Sequence, residues 1–505
     1  MSRRTHGWAG RIGFAALAVV IAAGYAALLR GQFNYGLEYD ESYLLQVIAN
    51  IATGNGFVDD GVAYFTTGEP FHPFISTGPV MLLPSAFVWL VTDGNVAATR
   101  LVPMAFFALF LVAMAILFHR WRGPWAALAA LAGPLLLPIL MPDLTNRSVM
   151  PGRFVGDVAA TALLLTMAVL LARRRLAWAG LAGGLAIQTK LNFALPVLVL
   201  LAVWVVGTWL AHRKLEPRSL VRLLPGLLLP TVLFEGYKLV SLGPSGYLHN
   251  IELTRAFTAF NTVPLPDLPN ATLAKLASLT QLLSGPSIML VVAAVCILVA
   301  LVLLHPYLRP EGGGRGTVEP DDSIALVAGL AGAASYLVWW VLTSSQTSPR
   351  PAVPGFMLAL ALLSAVMVVT AFDLRDRSEG RLRVVTTALP VMAVVVLVLC
   401  TAYQGVRVAR NTSGVELRDS QREAAAVLIA STDELPIDDF WTNPEFGVLT
   451  DLPYQQGSRL DPSLLVFTSI RALTERGSAD ATLFADACGD VLFSSSDVLI
   501  CRRPS

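Results

Sequence analysis

The sequence predicts an all-α polytopic membrane protein that carries a small α/β or α+β domain at its carboxyl end, and three observations support this. Hydrophobic residues make up 55% of the 505 positions and charged residues only 14%, a balance outside the range of soluble domains. Apolar runs of spanning length recur between residues 12 and 402, separated by arginine-rich breaks. Beyond residue 403 that pattern stops and short strand-like and helix-like segments take over. A net charge of +1 gives no overall bias towards nucleic acid.

The first apolar stretch, Phe14 to Leu29, follows Arg3, Arg4 and Arg11. Its length suits an uncleaved anchor with a cytoplasmic amino terminus better than a cleaved signal peptide, the alternative reading. Further spans are expected near 101–118, 124–141, 158–172, 176–190, 194–211, 220–234, 285–304, 323–342, 353–372 and 385–402, about eleven crossings in all. Basic clusters at Arg120 to Arg122, Arg173 to Arg175, His212 to Lys214, His305 to Arg315 and Arg375 to Arg383 then all face the cytoplasm, as the positive-inside rule asks. The segment Val80 to Val91 would invert every later loop if it crossed. With Pro79 and Pro84 it reads instead as re-entrant or interfacial.

This threading places the first outer loop at 31–100, further outer segments at 146–157, 235–283 and 343–354, and the tail outside. The domains are therefore a membrane domain over 1–403 and an extracytoplasmic domain over 404–505 in a multi-pass protein of the plasma (inner) membrane. In the tail a helix is expected near Ser420 to Ala430 and a strand at Leu464 to Thr468. Cys488 and Cys501 flank two apolar runs around a Ser-Ser-Ser-Asp turn, which reads as a disulfide-closed hairpin in an oxidising compartment, with two free thiols as the alternative. Cys296 and Cys400 fall inside spans as apolar filler, and the Gly-rich stretch Arg309 to Asp322 reads as a connector.

Glu38-Tyr39-Asp40-Glu41 follows the first span directly. Carboxylates at a membrane edge are costly, so a cluster of them marks a candidate site; the plain alternative is that Asp40 caps the helix beginning there. That helix, from Asp40 to Ala52 with Gly54 as its stop, is expected to lie at the interface with Leu44, Leu45, Val47, Ile48 and Ile51 on one face and Ser42, Gln46 and Asn50 on the other. Asp157 opens a later span, and Arg153 four residues earlier is its expected partner if the segment is helical. Arg350, between two prolines, offers a planar fork suited to phosphate, or simply snorkels at a helix end. Glu69 and His72 add polar groups in the first loop, and Glu235, Lys238, His249, Glu252 and Arg255 add others in the third. No cofactor is demanded. A divalent metal held by Asp40, Asp157, Glu69 and His72 is conceivable, although no ligand spacing requires it. There is no Walker loop, dinucleotide fingerprint or nucleophile elbow.

The Asp-Glu pair after the first span, the long first outer loop, the Asn-Arg-Ser…Gly-Asp second loop and the Arg-Pro start of a late span resemble the GT-C superfamily over residues 12–370. These are integral membrane glycosyltransferases that use polyprenyl-phosphate sugars, among them aminoarabinose transferases, protein O-mannosyltransferases and oligosaccharyltransferase catalytic subunits. The resemblance implies a hexosyl- or pentosyltransferase that moves a sugar from a polyprenyl-phosphate donor to a hydroxyl acceptor (glycan, lipid or protein) at the outer face. It implies Asp40 as general base, Glu41 as its supporting neighbour, Asp157 as second acid, and Arg153 and Arg350 as phosphate contacts, with Glu69 and His72 near the donor. Two departures stand out. One acid occupies the second loop where metal-dependent members have Asp-x-Asp, and Glu69-Pro70 stands where aminoarabinose transferases have Lys-Pro. The rival is a secondary transporter, which would place charges at mid-membrane depth in inverted halves; a scaffold whose tail binds an envelope partner ranks third.

Overall fold

The computed structural model describes residues 8–59, 68–140, 152–213, 217–282, 319–345, 350–377, 381–410, 413–431, 437–438, 444–450, 464–468, 488–495 and 498–502. Helices dominate. In chain order they are α1 (Trp8–Asn34), α2 (Tyr39–Thr53), α3 (Pro79–Val91), α4 (Leu101–Arg122), α5 (Pro124–Leu140), α6 (Asp157–Ala172), α7 (Leu176–Thr189), α8 (Ala194–His212), α9 (Pro217–Phe260), α10 (Leu268–Leu282), α11 (Pro320–Leu342), α12 (Val353–Arg377), α13 (Arg381–Arg410), α14 (Ser413–Ser431) and α15 (Pro444–Thr450).

Every expected span within the described residues coincides with a helix; the one at 285–304 lies outside them, as do Cys296 and most of the 309–322 connector. Among the described residues six helices are long and apolar enough to cross a bilayer, and α5, α6, α7 and the Pro390–Tyr403 part of α13 are shorter apolar helices in the same bundle. The chain is an integral membrane protein. Its main core joins α4, α5, α6, α7, α8, α11 and α12, with small residues at the contacts: Ala160, Ala168, Ala179, Ala186 and Ala361 are fully enclosed. Close approach of backbones through small side chains is how helices associate where lipid is as apolar as leucine.

Two expectations change. The third outer segment is helical instead of a loop, because α9 continues from the span to Phe260 with one break at Gly243, ahead of Pro244, whose ring interrupts the helical ladder. And α2 does not lie with its polar face in water. Ser42 and Gln46 are buried along with Leu45 and Ile48; α3 packs along α2, and α15 adds Val448 and Leu449 to its apolar cluster.

Charged groups gather at two opposite ends. At one, Arg120 pairs with Asp322 at 2.5 Å, Arg174 with Asp321 at 2.8 Å, and His212 with Asp321 at 3.1 Å, all from helix ends that the arginine pattern assigns to one side. At the other lie the acidic cluster and Asp157. The tail holds a four-stranded sheet in the order β1 (Ile437–Asp438), β2 (Leu464–Thr468), β4 (Val498–Arg502), β3 (Val491–Ser494), with β1 and β2 parallel and the rest antiparallel. Cys488 and Cys501 are disulfide-bonded across the β3–β4 hairpin, and Val498 and Ile500 pack on Ala424, Ala425 and Leu428 of α14.

Candidate active site

The acidic cluster divides into two environments. Asp40, in the first turn of α2, remains partly exposed. Glu41 is 1% exposed and faces inward, where Arg100 grips both of its oxygens, Nε to Oε1 at 2.6 Å and Nη2 to Oε2 at 2.8 Å. The remaining Arg100 donors go to the carbonyls of Gln32, Tyr35 and Gly36. A bidentate guanidinium–carboxylate pair with every donor used is the geometry that makes a buried pair tolerable. Arg153 closes the cluster, 2.6 Å from Glu38 and 3.5 Å from Glu41.

Asp157 is 4% exposed, and its partner is not Arg153. Lys190, which follows α7, places Nζ 2.8 Å from both Asp157 oxygens, and the Tyr336 hydroxyl of α11 donates to Oδ1 at 2.6 Å. The helical spacing expected for Arg153 fails because helix α6 begins at Asp157 itself. The carboxylate there also meets the positive end of the helix dipole. Residues 153–157 instead form a tie: Arg153 holds the acidic cluster, the Phe154 carbonyl accepts from the Thr77 hydroxyl at 3.0 Å, and Asp157 holds Lys190. Four residues reach no further than about 14 Å, so both acidic groups belong to one region.

Beside that tie lies a cavity of about 260 Å³, walled by the 71–79 segment, the end of α7, α9 and α11. Phe57, Phe71, Phe234, Phe257 and Trp339 give it aromatic sides, and His72, Gln188, Lys190, Asn192, Glu235, Lys238 and Asn261 give it polar groups. Lys238 sits 3.1 Å from Glu235 and 5.0 Å from the centre of the Phe234 ring. His72 accepts at Nδ1 from the Phe74 amide at 3.2 Å; burial pushes its pKa down, against the opposing pull of the Asp59 and Glu69 carboxylates. An aromatic-sided pocket with a few converging polar groups is the form a sugar-sized ligand site takes.

Of the residues singled out by sequence, His72 lines the cavity, Asp157 grips a cavity lysine, and Asp40, Glu41 and Arg153 form the neighbouring cluster. Glu69 is half-buried on the same loop. Arg350 opens a single 3-10 turn leading into α12, and its side chain lies outside the described residues, as does the Asn146 to Ser148 motif. Among the described residues no three His, Cys, Asp or Glu side chains gather as metal ligands, so Asp40, Asp157, Glu69 and His72 do not form a common set. Sequence reasoning missed Arg100, Lys190 and Tyr336. A signal for the first two existed: each is a lone cation at a helix end that the positive-inside rule assigns to the other side.

No family model and no curated protein matches the chain. Among solved structures it is similar to ArnT from Cupriavidus metallidurans bound to undecaprenyl phosphate, with a TM-score of 0.59 and 14% identity over 98% of both chains. It is also similar to the archaeal oligosaccharyltransferase AglB from Archaeoglobus fulgidus, in complex with an inhibitory peptide and a dolichol-phosphate, with a TM-score of 0.53 and 12% identity over 96% of this chain and 73% of that one. At such identities the likeness is one of fold. The chain shares the fold of these two proteins along nearly its whole length, in line with the fold that the resemblance of its acidic pair and loops implies.

Proposed function

We propose that the protein is a membrane glycosyltransferase that moves a sugar from a polyprenyl-phosphate donor to a hydroxyl acceptor at the outer face of the membrane. The observation that carries this reading is the cavity, which joins aromatic walls to two lysines beside a tied cluster of carboxylates, within a fold shared along nearly the whole chain with a protein solved bound to undecaprenyl phosphate.

The residues divide the work by environment. A polyprenyl phosphate is a good leaving group, so the reaction needs a base for the attacking alcohol and a cation for the departing phosphate, with no acid for the leaving oxygen. Asp40 is the base, since it is the accessible member of the pair whose other member, Glu41, is fixed by Arg100. Lys238 is the cation we assign to the phosphate, because among the described residues it lines the cavity with a single ion pair, to the half-buried Glu235, whereas both oxygens of the buried Asp157 grip Lys190 and the Arg153 guanidinium lies against Glu38 and Glu41. Glu235, 3.1 Å away, aims the Lys238 side chain. Asp157, Lys190 and Tyr336 brace the wall, and Arg350 remains a second candidate for the phosphate. The amino terminus is cytoplasmic and the tail, with its disulfide, extracytoplasmic.

The test is transfer of radiolabelled sugar from polyprenyl-phosphate donors to membrane acceptors by purified protein, wild type against Asp40→Asn. Loss of transfer with an unchanged melting temperature supports the proposal. An Asp40→Asn protein as active as wild type would refute the role of the base.

A further inference from the structure

The segment that leads from α1 into the acidic cluster, Tyr35 to Glu38, is held from two sides. From the membrane domain, Arg100 donates to the carbonyls of Tyr35 and Gly36. From the tail, Gln421 of α14 takes both backbone groups of Leu37: Oε1 accepts from the amide at 2.8 Å, and Nε2 donates to the carbonyl at 2.8 Å. Gln421 is 2% exposed, and a primary amide can complete such a two-way rung only by offering an acceptor and a donor together. The approach is close. A side chain at Gly36 would place its first carbon 2.7 Å from Gln421 Oε1 and 2.9 Å from the Arg418 amide nitrogen, so this contact needs glycine.

We infer that Gln421 is a positioning residue for Asp40, by which the tail domain sets the carboxylate of the membrane domain in place. Leu37 lies three residues before Asp40, too near for its backbone to shift without the carboxylate following. Behind Gln421 the support is continuous: Ala424, Ala425 and Leu428, on the same helix, pack on Val498 and Ile500 of the hairpin that the Cys488–Cys501 disulfide closes. The tail is thereby a structural part of the site, tied to it by the Gln421 clamp in addition to the apolar packing of Val448 and Leu449 against α2.

The inference rests on the reading of Asp40 as the base, and its test has one measurement that does not. Gln421→Met keeps volume and removes both hydrogen bonds; Gln421→Glu keeps the acceptor and removes the donor. In the full-length protein, deuterium exchange over residues 35–40 should quicken in Gln421→Met, while exchange over α14 and the hairpin stays as in wild type. In the transfer assay, kcat should fall on the order of tenfold in Gln421→Met with the donor KM unchanged, since misplacing a reacting group lowers the rate without touching donor binding. Gln421→Glu should fall between. Unaltered exchange in both variants, or an unaltered kcat beside an active wild type, would overturn the role. A wild type inert towards every lipid-phosphate sugar would instead sink the transferase reading and the positioning role with it, while faster exchange would still report the clamp.

Discussion

Arg100 and Glu41 meet edge to edge in a site closed to water, with two bonds of 2.6 and 2.8 Å, and the pair fixes the junction between α1 and α2, the helix that carries Asp40. Neither residue can be removed alone without leaving a buried charge. Arg100→Gln should therefore destabilise the protein by about 3–5 kcal/mol, the cost of breaking a buried pair, and should free the carbonyls of Gln32, Tyr35 and Gly36. Thermal unfolding in detergent measures this, and a melting temperature within a degree of wild type would contradict it.

Asp40 and Glu41 are neighbours with opposite expected phenotypes. Asp40→Asn should lose about 10²–10⁴-fold in transfer, the usual contribution of a general base, and keep its stability because the carboxylate is partly in solvent. Glu41→Gln should lose stability first, because it leaves Arg100 with a neutral partner in a closed site. Measuring transfer and melting on both variants separates the roles; identical profiles for the two would count against the division.

These two residues also show how far the sequence could be read. The acidic pair announces itself because carboxylates are rare beside apolar spans, and the spans follow from length and hydropathy, so the helical order was legible almost throughout. What was not legible is which acid faces which cation. Arg153 is near Asp157 in sequence but reaches Glu38, while Lys190, distant in sequence, reaches Asp157. Pairing across a bundle depends on helix rotation and on non-helical ties such as residues 153–157, and a 3.6-residue pattern carries neither. The burial of Ser42 and Gln46 was hidden for the same reason, because the elements that pack around α2, α3 and α15 among them, come from elsewhere in the chain.

Lys190, Asp157 and Tyr336 form one buried unit drawn from α6, α11 and the end of α7. Lys190→Met should cost about 3–5 kcal/mol by stranding the carboxylate, whereas Tyr336→Phe removes one hydrogen bond to a charged group and should cost about 1.5–3 kcal/mol. Because they share Asp157, the two losses should not add in the double variant. A strictly additive double-mutant cycle would show that the three do not act together.

His72 gives the first loop a pH dependence. Burial holds its pKa below the ordinary imidazole value, so the unfolded chain takes up the proton first as pH falls. The stability linked to this group is fully present above the ordinary value of about 6.5 and is lost as pH falls through the depressed folded value. Protonation at Nδ1 would also remove the acceptor used by the Phe74 amide. Melting temperatures between pH 7.5 and 5.5 should decline more steeply in wild type than in His72→Asn, and parallel slopes would count against it.

Gly78 tests the contact between the first loop and the bundle. Its amide donates to the Thr189 carbonyl at 2.8 Å, and a Cβ there would stand 1.8 Å from the Gln188 carbonyl oxygen, a backbone atom that cannot rotate aside. Its φ of −90° is ordinary, so the requirement is for space and not for an unusual backbone conformation. Gly78→Ala must push the loop away from the end of α7, and with it Thr77, which donates to the Phe154 carbonyl, and the cavity wall of Ser76 to Pro79. Overpacking of this kind costs about 1–3 kcal/mol. The activity loss should exceed what that destabilisation explains, because the loop residues Ser76 to Pro79 and Lys190 line the same cavity. Transfer measured well below the melting temperature should thus be impaired in Gly78→Ala and spared in Gly236→Ala, where an added Cβ meets nothing within 4 Å. Equal activity in the two variants would show that the close approach of loop to bundle does not shape the site.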